Sequence, residues 1–137
     1  MEISRDILIV DDDRQVREVL HQIFLTAGYK CRLAQDGRDG VASFKAARPP
    51  LTVTDLKMPI MTGIELLQQA REVHGDAAVI VLTGAADVKT AIDSLKLGAY
   101  DFIMKPVNVD ELLIAAERAL ERRQVLIVRR QYHAMLE

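Results

Sequence analysis

The chain has 137 residues, half of them hydrophobic and 28% charged, with a formal net charge of −2. That is enough for one domain with a real core and too little for two. The charge balance gives no overall case for nucleic acid or an anionic membrane as a partner, and Cys31, the only cysteine, excludes an intrachain disulfide.

The opening residues, MEISRDILIVDDD, hold no apolar signal stretch. No uninterrupted apolar run approaches the roughly 18–20 residues that span a bilayer. A soluble, cytoplasmic protein without a membrane partner is the expectation.

In chain order, ILIV (7–10) predicts a first strand and runs straight into the acids Asp11, Asp12 and Asp13. Val16, Val19, Leu20 and Ile23 recur at helical steps up to the stop at Gly28. KCRLA (30–34) is the least distinct of the strand candidates. Val41, Phe44 and Lys45 predict a second helix, closed by Pro49 and Pro50. LTVT (51–54) predicts a third strand, and Asp55 follows it at once. Ile64, Leu67 and Ala70 lie on a third helix between Gly63 and Gly75. AVIVL (78–82) predicts a fourth strand, followed by Thr83 and Gly84. Val88, Ala91, Ile92 and Leu95 predict a fourth helix that ends at Gly98. YDFIM (100–104) predicts a fifth strand, followed by Lys105 and Pro106. NVDE (108–111) then places Asn108 as the N-cap of a last helix, with Glu111 at its third position.

The third and fourth runs are apolar or β-branched without alternation, as strands buried on both faces are. Strand and helix alternate five times, which predicts a parallel sheet with helices on both faces and right-handed crossovers. In such sheets ligands bind at the carboxyl ends of the strands, near the point where strand order reverses. Asp11–Asp13, Asp55, Thr83 and Lys105 all stand at that edge.

Each of these residues alone has a plainer role. A single Asp after a strand caps a helix or forms a turn, and a lone Lys is a surface residue. Their joint occurrence at successive strand ends is what singles them out. Converging carboxylates make a hard-oxygen site for Mg²⁺, and a carboxylate can act as a nucleophile toward phosphorus. The Lys105 ammonium and the Thr83 hydroxyl would compensate phosphoryl oxygens, and Gly84 would let backbone approach them closely.

The landmarks ILIVDDD, VTDLKMPIMTG, VIVLTG and GAYDFIMKP, in this order, resemble the receiver domain of bacterial two-component response regulators. The resemblance runs from about Asp6 to Ala119. It implies a flavodoxin-like (βα)5 three-layer sandwich, a parallel five-stranded sheet of order 2-1-3-4-5, and an extended C-terminal helix. It further implies that Asp55 accepts a phosphoryl group from a sensor histidine kinase. Asp11 and Asp12 would hold Mg²⁺ together with Asp55 and the Lys57 backbone carbonyl. Thr83 and Lys105 would contact the phosphoryl group, Phe102 would be the switch aromatic that turns inward when Thr83 moves, and Lys105–Pro106 would be a cis peptide bond. Asp13 is expected to face away from the metal and cap the first helix. Thr52 and Thr54 stand where longer aliphatics are common in the family.

The expected division is a phosphoacceptor domain over residues 1–121 and a helical extension over 122–137 that leads to an absent output domain. The helical pattern runs on past the domain core, where Val125, Val128, Tyr132 and Met135 form a second apolar stripe at 3-4-3 spacing. That is a short coiled-coil seam, two heptads at most, through which the chain could form a homodimer. No direct nucleic-acid binding is expected of this chain. His21, His74 and His133 are scattered and read as surface or core residues, and Cys31 as a small apolar filler.

Two rival readings share part of this pattern. A Mg²⁺-dependent phosphatase with an aspartate nucleophile uses the same residue types, but Asp55 is followed by Leu56 and Lys57 rather than by the D-x-D spacing of such enzymes. A flavin-binding domain of the same architecture would need a Ser/Thr/Gly-rich phosphate loop after the first strand, where this chain has three acids.

Overall fold

The structure is a computed structural model that describes residues 3–136; the ends of the two expected units that fall on residues 1, 2 and 137 lie outside the described residues. Five strands, β1 (Asp6–Val10), β2 (Lys30–Ala34), β3 (Leu51–Asp55), β4 (Ala78–Thr83) and β5 (Asp101–Met104), alternate with α1 (Arg14–Thr26), α2 (Gly37–Ala47), α3 (Gly63–Val73), α4 (Val88–Lys96) and α5 (Val109–Leu136). All strand pairs are parallel, and the sheet order is β2-β1-β3-β4-β5. This is the expected flavodoxin-like sandwich with a long C-terminal helix. The order reverses between β1 and β3, so a crevice opens at their carboxyl ends.

Period-two alternation sends each strand's side chains to both faces. Ile7, Ile9, Val53, Ile80 and Leu82 pack with Leu20 and Phe24 of α1 and with Leu112, Ala116 and Leu120 of α5. Leu8 and Val10 face the other way, onto Phe44 of α2 and Leu66 of α3. Val79 and Val81 meet Leu67 and Ala91 there. β1, β3 and β4 are buried along almost their whole length, which is why their sequences are apolar or β-branched without alternation. β2 lies at the sheet edge, with Lys30, Arg32 and Leu33 exposed, so only part of its surface had to be apolar.

Two helical stripes differ from the sequence reading. α4 buries Ala91 and Ser94, leaving Ile92 and Leu95 exposed. The small residues let this nine-residue helix lie close to β4 and β5. In α1 the buried pair is Leu20 and Phe24, while Val19 is exposed.

The helix ends follow the sequence signals. Asp13 caps α1, accepting from the backbone N–H groups of Gln15 (2.9 Å) and Val16 (3.3 Å). Asn108 accepts from Glu111 N–H at 3.0 Å at the start of α5. Gly28 and Gly98 have φ of +90° and +106°, the left-handed residues that follow α1 and α4. No helix among the described residues is long and apolar enough to cross a membrane.

Candidate functional site

β1 and β3 end side by side at the crevice. Asp11 follows Val10 of β1 and is fully buried, and Asp55 is the last residue of β3, 9% exposed. Carboxylate oxygens of Asp11, Asp12 and Asp55 all lie within 4.8 Å of one another. From the end of β5, the Lys105 ammonium reaches over to 3.1 Å from Asp55 Oδ1 and 3.6 Å from Asp11 Oδ2. The backbone extends the ladder here, as Lys105 N–H donates to the Thr83 carbonyl at 2.8 Å and Leu56 N–H to the Leu82 carbonyl at 2.9 Å. The Lys105–Pro106 bond is cis.

Asp11 is held by its surroundings. Its Oδ1 accepts from Asp13 N–H at 2.9 Å, and its carbonyl accepts from Arg17 Nη1 at 2.8 Å. Burial pushes its carboxyl above the usual carboxylate range. The Asp13 N–H and the Lys105 ammonium oppose that shift, and the charges of Asp55 and Asp12 add to it. Asp11 Oδ2 is buried with no hydrogen-bond donor. A buried oxygen lacking a donor, beside two further carboxylates, suits a hard divalent cation, which takes oxygen ligands and tolerates charge crowding. The donor set therefore fits Mg²⁺.

Thr83, the last residue of β4, is buried, and its hydroxyl donates to the Gly84 carbonyl at 3.1 Å. It faces the crevice edge without bonding to Asp55 in this state. Phe102 on β5 is half-buried and packs against the cluster of Leu56, Leu67, Val79, Val81 and Ala91. The side chain of Lys57 turns outward, 3.8 Å from Asp87 Oδ1. The structure thus gathers Asp11, Asp12, Asp55 and Lys105 into one cluster, while Thr83 ends the neighbouring strand β4 and Phe102 packs into the apolar layer of β5.

Three further residues of the region stand out in the structure. Gly63 opens α3 directly against the end of β3: a Cβ there would overlap the Asp55 carbonyl oxygen and come within 3.0 Å of Leu56 Cα. Gly63 N–H donates to the Leu56 carbonyl at 2.8 Å. In the sequence it looked like a helix breaker, and only the close approach reveals its purpose. Ile60 has φ +73° and is 71% exposed. Met61 N–H closes a three-residue turn around it onto the Pro59 carbonyl at 2.8 Å, the rare positive-φ form of the γ-turn. Thr52 Oγ is buried without a partner on β3, and nothing in the structure explains the hydroxyl there.

Comparison with known proteins gives the same picture. The family described as response regulator receiver domain matches residues 7–117. The regulatory protein AtoC of Escherichia coli strain K12 is 35% identical over 130 residues, covering 95% of this chain and 28% of its own length. A receiver domain protein from Clostridium thermocellum superimposes with a TM-score of 0.86 at 29% identity, covering 88% of this chain and 98% of that one. NtrX from Brucella abortus superimposes with a TM-score of 0.86 at 30% identity over 98% of this chain, but over only 30% of its own. The chain thus spans under a third of the length of AtoC and of NtrX.

Proposed function

Because this chain belongs to the receiver-domain family of response regulators, we propose that it is a phosphorylation-controlled signalling domain. In this reading the Asp55 carboxylate takes a phosphoryl group from the phosphohistidine of a sensor histidine kinase. The observation that carries it is the convergence of three carboxylates within 4.8 Å under the Lys105 ammonium.

An Asp55 oxygen attacks phosphorus, the O–P bond forms, and the P–N bond to the donor imidazole breaks. The imidazole leaves with the bond pair and is protonated from solvent. Lys105, already 3.1 Å from Asp55, holds the transferred oxygens and offsets their charge. Mg²⁺, held by Asp11, Asp12, Asp55 and the Lys57 carbonyl, would neutralise the charge that gathers on the phosphoryl oxygens. The Thr83 hydroxyl leaves the Gly84 carbonyl and donates to the phosphoryl group, and Phe102 moves into the space behind it. The surface of α4, β5 and α5 changes as a result.

An apolar groove beside Lys105, lined by Val16, Val19, Ile23, Pro106 and Val107, is the docking face for the donor protein. The end of α5 leads toward an output domain of the kind that longer relatives carry. Its exposed Val125, Val128, Tyr132 and Met135 pair with a second copy of the chain. Val128→Glu should abolish that pairing in sedimentation equilibrium.

The deciding experiment incubates the chain with Mg²⁺ and a small phosphodonor and then maps the modified peptide. One phosphoryl group on Asp55, absent in Asp55→Asn, is expected. Phosphate on another residue, or steady turnover of phosphatase substrates, would overturn the reading.

A further inference from the structure

At the opposite rim of the sheet, between α3 and β4, the turn Gly75–Ala77 carries a further buried acid. Asp76 is 8% exposed. Carboxylates are almost never buried without a partner, and its partner comes from the far part of α5. Arg130 Nη1 donates to Asp76 Oδ2 at 2.6 Å, and Arg130 Nη2 donates to Asp76 Oδ1. This is the two-pronged guanidinium–carboxylate geometry, stronger than a single neutral hydrogen bond. Arg123, seven residues earlier, lies on the same face of the helix. Its Nη2 is 3.0 Å from His74 Nε2 on the same turn.

A surface ion pair would mean little, since such pairs contribute about 0–1 kcal/mol. Asp76 is not at the surface. Removing its partner leaves a buried charge uncompensated, which is the costly case. Arg130 is 66% exposed as a side chain, so the tail carries the accessible half of the contact.

The helix geometry decides what this contact does. At about 100° per residue, Val128, Tyr132 and Val125 project roughly 140°, 180° and 200° away from Arg123. The two arginines face the domain and the apolar stripe faces away from it.

We infer that the α3–β4 turn is a docking socket for the tail of α5: Asp76 and His74 hold Arg130 and Arg123, fix the rotation of the helix, and so present the Val125–Met135 stripe to a second copy of this chain. The identity of that occupant rests on the pairing proposed above, whereas the socket does not.

The test is amide hydrogen exchange on the full chain, followed in peptides covering 122–136. Wild type is compared with Asp76→Asn, Arg130→Gln and the double variant, each also in a Val128→Glu background that removes pairing. Loss of a charged hydrogen-bonded contact should speed exchange in 122–136 roughly tenfold. The double variant should go no further than either single one, and residues 112–120 should be unaffected. The dimer constant should weaken in the same variants. Arg130→Gln changes a side chain that is 66% exposed on the tail, and exchange in residues 112–120 reports whether the core holds, so unchanged exchange in 122–136 of that variant overturns the socket. If exchange responds while the wild type is monomeric at every concentration, the socket stands and the pairing falls.

Discussion

The Lys105 ammonium stands 3.1 Å from Asp55 Oδ1, so under the proposed function the cation that an incoming phosphoryl group needs is already in contact with the proposed acceptor. Little reorganisation is then required at the moment of transfer, which is where preorganised charge has its largest effect. Lys105→Ala should slow phosphorylation by a small phosphodonor by roughly a hundredfold, followed by time-resolved intact mass at fixed Mg²⁺. An unchanged rate would remove Lys105 from the chemistry.

Asp11 gives a pH-dependent prediction. Its carboxyl is raised from 3.8 chiefly by burial, so the folded chain binds this proton more readily than the unfolded one. Stability therefore falls as pH rises from the ordinary carboxylate value through the raised one. Asp11→Asn should raise the melting temperature of the metal-free protein at pH 7, with the gain fading toward pH 3. The same change should abolish stabilisation by Mg²⁺. A lower melting temperature at pH 7 would show that Asp11 does not carry the strain assigned to it.

At Gly63 two effects compete. Alanine is the better helix former by about 1 kcal/mol, but its Cβ would overlap the Asp55 carbonyl oxygen. That backbone cannot yield without moving β3, and overpacking of this kind costs about 1–3 kcal/mol. Gly63→Ala should therefore lower the urea midpoint and slow phosphorylation as Asp55 shifts. A more stable variant with normal phosphorylation would mean the loop gives way easily.

Ile60 is the reverse case. A β-branched residue at φ +73° costs roughly 1–2 kcal/mol in backbone strain, and its exposed side chain recovers little by packing. Glycine removes the strain but adds unfolded-state entropy of about 0.5–1 kcal/mol. Ile60→Gly should thus stabilise the chain by roughly 0.5–1 kcal/mol, read from the urea midpoint at constant m-value.

The groove proposed above for docking can be tested separately from the chemistry. Val19 is exposed on α1 and touches none of the acids. Val19→Glu should reduce phosphotransfer from the cognate kinase at least tenfold, in line with a charge buried in an apolar contact, while phosphorylation by a small donor stays unchanged. Equal loss with both donors would mean that the site itself had been disturbed.

The sheet was the most legible part of this chain. β1, β3 and β4 declare themselves because burial on both faces favours apolar and β-branched residues without alternation, while β2 is faint because an edge strand does not need them. The site was legible because strand ends can be located from such runs, and four of them end in chemically matched groups. Packing by small residues was not legible: Ala91 and Ser94 carry the buried face of α4 without standing out. Asp76 gave no signal at all, since its partner Arg130 lies 54 residues away and no period links them. Ile60 and Gly63 depend on backbone angles and clearances that residue type does not encode.

β4 carries Thr83 at its carboxyl end, while Asp76 precedes its amino end. The proposed phosphoryl chemistry and the proposed tail socket therefore sit at opposite rims of one sheet, separated by the length of a six-residue strand, about 20 Å. Grafting this domain onto a foreign effector is constrained accordingly. A chimera joined after Leu120 keeps every acid and the lysine, yet strands Asp76 without its guanidinium. A junction placed beyond Arg130 carries the matched pair across intact, so the smallest transplantable unit is longer than the stretch that ends at Leu120.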